Sequence, residues 1–309
     1  MSTPIDFTDR VAIVTGAGGG LGRAYALALA ERGAKVVVND LGGDVHGAGG
    51  DASPAQKVVD EIVAAGGEAI VDGHDITDEA AVDALVASVI EKWGRIDVLI
   101  NNAGILRDKS FAKMTTDDFR KVLEVHLMGS VNCTKAVWPH MVEAGYGRIL
   151  MTTSTSGIYG NFGQSNYGAA KSGLVGLMNV LAIEGAKKNI KVNAIAPTAA
   201  TRMTEDLLPQ QVLEIMGPDT IAPGALFMVS DDAPTKTILG AGAGVFAVSQ
   251  MVESRGVFLP EQARTPEVVA ERWAEIADMT DAQTLEGAFE QTSKYAALAA
   301  RELGLNLES

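Results

Sequence analysis

Apolar residues fall into short continuous runs separated by longer stretches where they recur every three or four positions. The short runs are rich in β-branched residues and stop at Gly, Asp or Asn, as strands do. They predict strands at Val11–Thr15, Lys35–Asn39, Glu68–Val71, Ile96–Ile100, Gly147–Thr153, Ile190–Ile195 and Gly244–Val248. The periodic stretches predict helices at Leu21–Glu31, Ala55–Ala65, Glu79–Trp93, Asp117–Val137, Asn166–Lys188 and Thr265–Asp278, with one or two more across Asp281–Leu303. Strand and helix alternate, and unbroken runs such as Asp97-Val-Leu-Ile100 suit strands covered on both faces. The expected architecture is α/β, a doubly wound parallel sheet of seven strands with helices on both faces. Strand signals cease beyond Gln250. Residues 1–250 therefore read as one α/β domain and residues 251–309 as a C-terminal helical extension packing on it.

Glycine gives the first strand its chemistry. Thr15-Gly-Ala-Gly-Gly-Gly-Leu-Gly22 follows that strand directly and opens a helix. Gly16 can take a positive φ at the turn, Gly20 lets backbone approach a pyrophosphate, and Gly22 permits close helix–strand packing. The helix start at Gly19–Leu21 offers unpaired N–H groups to phosphates. This makes the domain a Rossmann-type dinucleotide binder. Asp40, at the end of the second strand, can bind an adenosine ribose and repel a 2′-phosphate. No base stands at Gly19, so NAD is expected over NADP. Asp75, next to Ile76, can bind adenine or cap the helix beginning near Asp78; the sequence leaves both open. Leu41–Ser53 is a glycine-rich loop, long for a strand-to-helix connection.

Tyr167-Gly-Ala-Ala-Lys171 places a phenol and an ammonium on one helix face. A cation nearby is expected to lower the phenol pKa and make Tyr167 a general acid/base for an alcohol–ketone pair. Ser154, at a strand end upstream, can hold the substrate oxygen beside it.

Composition narrows the partners. With 25 Lys plus Arg against 39 Asp plus Glu, the formal charge of −14 argues against nucleic-acid binding. A single cysteine, Cys133, excludes an intramolecular disulfide framework and any cysteine-based zinc cluster, and the four histidines show no ligand spacing, so no metal is expected. No apolar run reaches the length of a membrane span. The N-terminus has no signal-peptide pattern and the last residues carry no lipidation or peroxisomal address, which points to a cytoplasmic protein.

Thr15–Gly22, Asn101-Asn-Ala-Gly104, Ser154 and Tyr167–Lys171, in that order, resemble the short-chain dehydrogenases/reductases over roughly residues 7–200. The resemblance implies that Tyr167 exchanges the hydroxyl proton, that Lys171 binds the nicotinamide ribose, and that Ser154 orients substrate. It implies that Asn102, Ala103 and Gly104 support the cofactor, and that Pro197, Thr198, Ala199 and Thr201 cover the nicotinamide. Val38-Asn-Asp-Leu-Gly-Gly43, Asn102–Asp108 and Ser156–Gln164 are similar to one branch, the dehydrogenase unit of peroxisomal multifunctional enzyme type 2, and the likeness continues into the tail. That branch implies NAD-dependent oxidation of (3R)-hydroxyacyl-CoA, with 17β-hydroxysteroids as the alternative, in a stand-alone bacterial relative. Family habit implies a homodimer or homotetramer.

The broad family carries Asn where this chain has His126. Either His126 relays protons with Lys171, or it is a hydrogen-bonded core histidine. An anionic CoA needs a basic patch on this acidic chain, for which Arg107, Lys109, Lys113 and Arg202 are candidates. A catalytically idle NAD-binding regulator is the third reading, but it has no need of the Ser154–Tyr167–Lys171 set.

Overall fold

The computed structural model describes residues 4–43, 46, 49, 53–199 and 210–306. The chain divides into two compact units, Met1–Val248 and Ser249–Ser309. The first carries a single sheet. In chain order its elements are β1 (Val11–Thr15), α1 (Gly20–Glu31), β2 (Lys35–Asn39), α2 (Ser53–Ala64), β3 (Glu68–Asp72), α3 (Glu79–Trp93), β4 (Val98–Asn101), α4 (Thr116–Leu123) and α5 (Gly129–Ala144). There follow β5 (Gly147–Thr152), α6 (Thr155–Tyr159), α7 (Ser165–Gly185), β6 (Ile190–Pro197), α8 (Gln210–Ile215), α9 (Ala222–Met228), β7 (Ile238–Gly242) and β8 (Val245–Ser249).

The sheet order is β3-β2-β1-β4-β5-β6-β7-β8, with β1 to β7 paired in parallel. The direction of winding reverses between β1 and β4, which opens a crevice at the carboxyl ends of the strands. The apolar strand runs are explained by the two cores. Ala12 and Val14 of β1 face a cluster with α1, α2 and α9, whereas Val11 and Ile13 face a second cluster with α3, α5 and α7. Each residue of β1 is buried on one side or the other, so a polar alternation would have nowhere to point.

The fold class is as expected, but the sheet has eight strands, not seven. The overlooked strand is β7. Its sequence Ile238-Leu-Gly-Ala-Gly242 carries two glycines, which mask a strand signal. The apolar run that looked like the last strand is β8, joined to β7 through Ala243 and Gly244 at φ 50° and 75°. Two left-handed residues in sequence form a hairpin turn. Three helix expectations change as well. Asp117–Val137 is interrupted by a π-helical turn at Glu124–Met128, and α5 then runs through Pro139 to Ala144. In the second unit, Thr265–Asp278 is two short helices, α10 (Pro266–Glu271) and α11 (Trp273–Ile276), and the last helix, α12, occupies Ala288–Leu303. Most of the Leu41–Ser53 loop lies outside the described residues. Among the described residues no helix is long and apolar enough to cross a membrane, and no group of side chains could hold a metal ion.

At the opposite end of the sheet from the crevice, the buried carboxylate of Asp97 ties strands together. It accepts from Val11 N at 2.9 Å and pairs with Arg95 at 2.6 Å and Arg10 at 3.2 Å. Asp97→Ala leaves that N–H without an acceptor and Arg95 without its ion-pair partner, while Arg10 keeps Asp231 at 3.2 Å. It should cost roughly 2–3 kcal/mol, below the range for a fully buried pair because both arginines keep contact with water. Urea unfolding reads this directly, and a loss under about 0.5 kcal/mol would contradict the assignment.

Candidate active site

Every loop at the carboxyl end of β1 to β6 contributes to one cavity of about 480 Å³. At its dinucleotide end the chain is built for close approach. Gly16 has φ +63°, and a Cβ there would lie 2.7 Å from Ala103 Cα. A Cβ on Gly22 would lie 2.3 Å from the Gly16 carbonyl oxygen. Asn102 Nδ2 donates to the Thr15 and Gly16 carbonyls at 3.0 and 3.1 Å and so fixes the loop from behind. Gly19 is the N-cap of α1 and no side chain caps that helix, which leaves first-turn N–H groups for a ligand. Asp40 is held by two backbone donors, Gly18 N and Gly42 N, each at 2.8 Å. These features fit the pyrophosphate and ribose of a dinucleotide.

Gly16, Gly19, Gly20, Leu21, Asp40, Asp75, Ile76, Asn102, Ala103, Gly104, Pro197, Thr198 and Ala199 all line the cavity, whereas Gly22 sits beneath the loop. Thr201 and Arg202 lie outside the described residues. Asp75 is not the helix cap. Its Oδ1 accepts from the backbone and hydroxyl of Thr77, and Asp78 caps α3 through Ala80 N and Ala81 N.

Ser154, Tyr167 and Lys171 converge at the other end of the same cavity. Ser154 is the N-cap of α6, where its Oγ accepts from Ser156 N at 3.2 Å. That leaves its O–H to donate toward the Tyr167 oxygen. Burial pushes the phenol above its ordinary value of 10, the Ser154 hydrogen bond pulls it back, and the Asp108 charge adds to the rise. Lys171, 2% exposed, is drawn down to about 7 by burial. Its Nζ donates to the Thr152 carbonyl at 2.5 Å and lies 5.5 Å from the Tyr167 ring centre. The expected lowering of the phenol by the lysine is therefore corrected: in this geometry the hydroxyl of Ser154 does it. A buried ammonium loses hydration, so a smaller share of it is charged at neutral pH than of an exposed lysine.

His126 stands at the centre of the π-helical turn and is 2% exposed. Its Nε2 lies 2.8 Å from the Ile105 carbonyl oxygen and 3.0 Å from Ile105 N, and its ring meets that of Tyr167 edge-on at 5.1 Å and 89°. Burial, with the Lys171 charge added, holds its pKa well below 6.5. The ring is neutral near pH 7. Its Nδ1 has no partner among the described residues. Gly104 makes room for it, since a Cβ there would be 2.1 Å from His126 Cε1.

Of the basic-patch candidates, Arg107, Lys109 and Lys113 are not among the residues lining the cavity, and Arg202 lies outside the described residues. Arg107 and Lys109 both pair with Asp118, at 3.2 and 3.0 Å, and together hold its carboxyl at about 2. Besides Lys171, the basic residue lining the cavity among the described residues is Lys121, for which no ion-pair partner is found among them. Sequence reading also missed Thr155, Ser156, Asn161 and Gln164, which line the substrate side, and His74, whose Nδ1 lies 2.7 Å from Asp72 Oδ2 at the dinucleotide end. Position was the available signal: Gln164 is within one turn of Tyr167, and Lys121 within two turns of His126.

The chain matches the family model for short chain dehydrogenase over residues 10–212. It belongs to that family of oxidoreductases. It is 48% identical over 285 residues to peroxisomal multifunctional enzyme type 2 of Mus musculus, covering 91% of this chain and 38% of that protein. The branch resemblance drawn from the motifs therefore extends along most of the chain, although the chain spans well under two thirds of that relative. It is 41% identical over 233 residues to a 3-oxoacyl-[acyl-carrier-protein] reductase of Synechocystis sp., covering 73% of this chain and 91% of that one. Among solved structures it resembles 7α-hydroxysteroid dehydrogenase complexed with NADH and 7-oxo glycochenodeoxycholic acid. There the TM-score is 0.70 at 33% identity, over 77% of this chain and 95% of that one.

The opposing influences on Tyr167 predict two opposite pH effects. Ser154→Ala removes the group that lowers the phenol pKa, so the alkaline rise of alcohol-oxidation rate moves to higher pH. Asp108→Asn removes a charge that raises it, and the rise moves to lower pH. Profiles of kcat against pH for the two variants check this, and shifts in the same direction would contradict it.

Proposed function

We propose that the protein oxidises a secondary alcohol with NAD, its substrate being a (3R)-hydroxyacyl-CoA and its product the 3-ketoacyl-CoA. One observation carries the reading: Ser154, Tyr167 and Lys171 meet in a cavity whose far end is Asp40. Bound dinucleotide supplies the hydride acceptor. The chain's own residues do the rest. Ser154 holds the substrate oxygen, Tyr167 Oη takes the hydroxyl proton as the C–H bond breaks, and Lys171, anchored on the Thr152 carbonyl, would hold the nicotinamide ribose. Most of the rate gain comes from orienting these groups in a largely buried site. His126 acts as a neutral core residue in this reading. The preference for NAD is supported by the Asp40 carboxylate, held by Gly18 N and Gly42 N after β2, since an acid there would repel a 2′-phosphate.

Acyl thioester chemistry is supported by the 3-oxoacyl reductase relative and by Lys121, a cation at the cavity for the anionic CoA. The steroid dehydrogenase structure favours a second reading, a hydroxysteroid substrate such as a 17β-alcohol. A cytoplasmic homodimer or homotetramer belongs to the same proposal.

Tyr167→Phe should lower kcat by at least about 1000-fold while NAD still binds, because only the proton acceptor is lost. NADH formation measured by absorbance tests this, and retention of most activity would refute the assignment. Lys121→Glu should raise KM for 3-hydroxyacyl-CoA by roughly tenfold, the effect of about 1.4 kcal/mol, and leave oxidation of a 17β-hydroxysteroid unchanged. Equal effects on both substrates would remove Lys121 from CoA recognition.

A further inference from the structure

We propose that Gln164 is a specificity-determining residue whose carboxamide donates a hydrogen bond to a second substrate oxygen, the thioester carbonyl beside the carbon chain that carries the reacting hydroxyl. The inference rests on the function proposed above and deepens it. Gln164 is the N-cap residue of α7, three positions before Tyr167, and lines the cavity with Tyr167 and Ser154. Its Oε1 accepts from Ser156 Oγ at 2.7 Å and from Asn161 Nδ2 at 3.1 Å. Its Nε2 donates to Asp108 Oδ2 at 2.6 Å.

These three bonds fix which way the amide faces. Turned over, it would set its oxygen against a carboxylate and its NH2 against the NH2 of Asn161. In the observed orientation both lone pairs of Oε1 are engaged and one N–H is engaged. The second N–H has no acceptor among the described residues. The loops that carry the network are themselves tied together, by Lys109 N to Gly163 O at 2.9 Å and by Asn166 Nδ2 to Arg107 O at 3.0 Å. The remaining donor is thus held on a rigid frame.

Its neighbourhood says what it recognises. Ser156 links the two sites: its N–H donates to Ser154 Oγ and its hydroxyl donates to Gln164 Oε1. The Gln164 amide is therefore linked through a single residue to the hydroxyl that grips the reacting oxygen. A substrate with a second acceptor a few bonds from its alcohol satisfies both at once, and a 3-hydroxyacyl thioester is such a molecule. A lone secondary alcohol, or a steroid with hydrocarbon at that position, leaves the amide unpaired. A site arranged to bond a substrate oxygen discriminates against the analogue that lacks it.

A matched pair of compounds tests this: 3-hydroxybutyryl-CoA, and S-(3-hydroxybutyl)-CoA, in which CH2 replaces the thioester carbonyl. The wild type should oxidise the thioester with kcat/KM about 10- to 100-fold above the thioether, a modest span because the site is partly open to water. Gln164→Leu should bring the thioester-to-thioether ratio of kcat/KM down toward one, a ratio that cancels any change common to the two compounds. Gln164→Met, closer in shape, should behave the same, and NAD binding by either variant confirms a folded site. Equal rates for the two compounds in the wild type, or equal losses on both in the variants, would overturn the role of Gln164 alone. A wild type that oxidises neither but turns over a hydroxysteroid would overturn the parent reading as well.

Discussion

Burying an ammonium and a phenol side by side at the end of β5 is the constraint on which the site depends. Neither group is at ease there: burial moves the lysine down and the tyrosine up, and both shifts favour the neutral forms. The chain holds them with neutral hydrogen-bonding groups rather than with counter-charge. The Thr152 carbonyl takes the Lys171 ammonium, and the Ser154 hydroxyl takes the phenol. Close packing completes the arrangement. A Cβ on Gly157 would lie 2.7 Å from Lys171 Cβ, and the bare Gly104 admits the His126 ring that stands edge-on to Tyr167. Two glycines outside the dinucleotide loop thus decide where the reacting groups sit.

Topology brings the two ends of the cavity together. Because the winding reverses between β1 and β4, the loop after β1 and the loop after β4 face each other, and Asn102 bonds directly to the carbonyls of Thr15 and Gly16. The dinucleotide loop and the substrate loop are one hydrogen-bonded unit. Residues Asn102–Asp108 run from that unit to Gln164, whose Nε2 donates to Asp108 Oδ2.

Much of this was legible in the sequence, for physical reasons. The buried strands are apolar on both faces, so β1, β2 and β6 stood out, and the glycine loop was readable because a strand and a helix flank it. The Ser154–Tyr167–Lys171 set was readable because helix geometry places positions four apart together. What stayed hidden depended on contacts between distant segments. β7 was hidden by its two glycines; the close approach of Gly242 to Thr198 is visible only in three dimensions. Arg107 and Lys109 looked free, since nothing in sequence distance says that Asp118 takes both. The raised phenol pKa was misjudged because charge can be counted along a chain and desolvation cannot.

The central claim is that Tyr167 is an acid/base kept protonated by burial and tuned by its neighbours. Titrating the phenol directly, as the ultraviolet difference between wild type and Tyr167→Phe with and without NAD, tests it most plainly. The account predicts an apparent pKa above 10 in the free protein that falls when the positively charged nicotinamide is bound beside it. A phenol that titrates at its ordinary value in both states would contradict it.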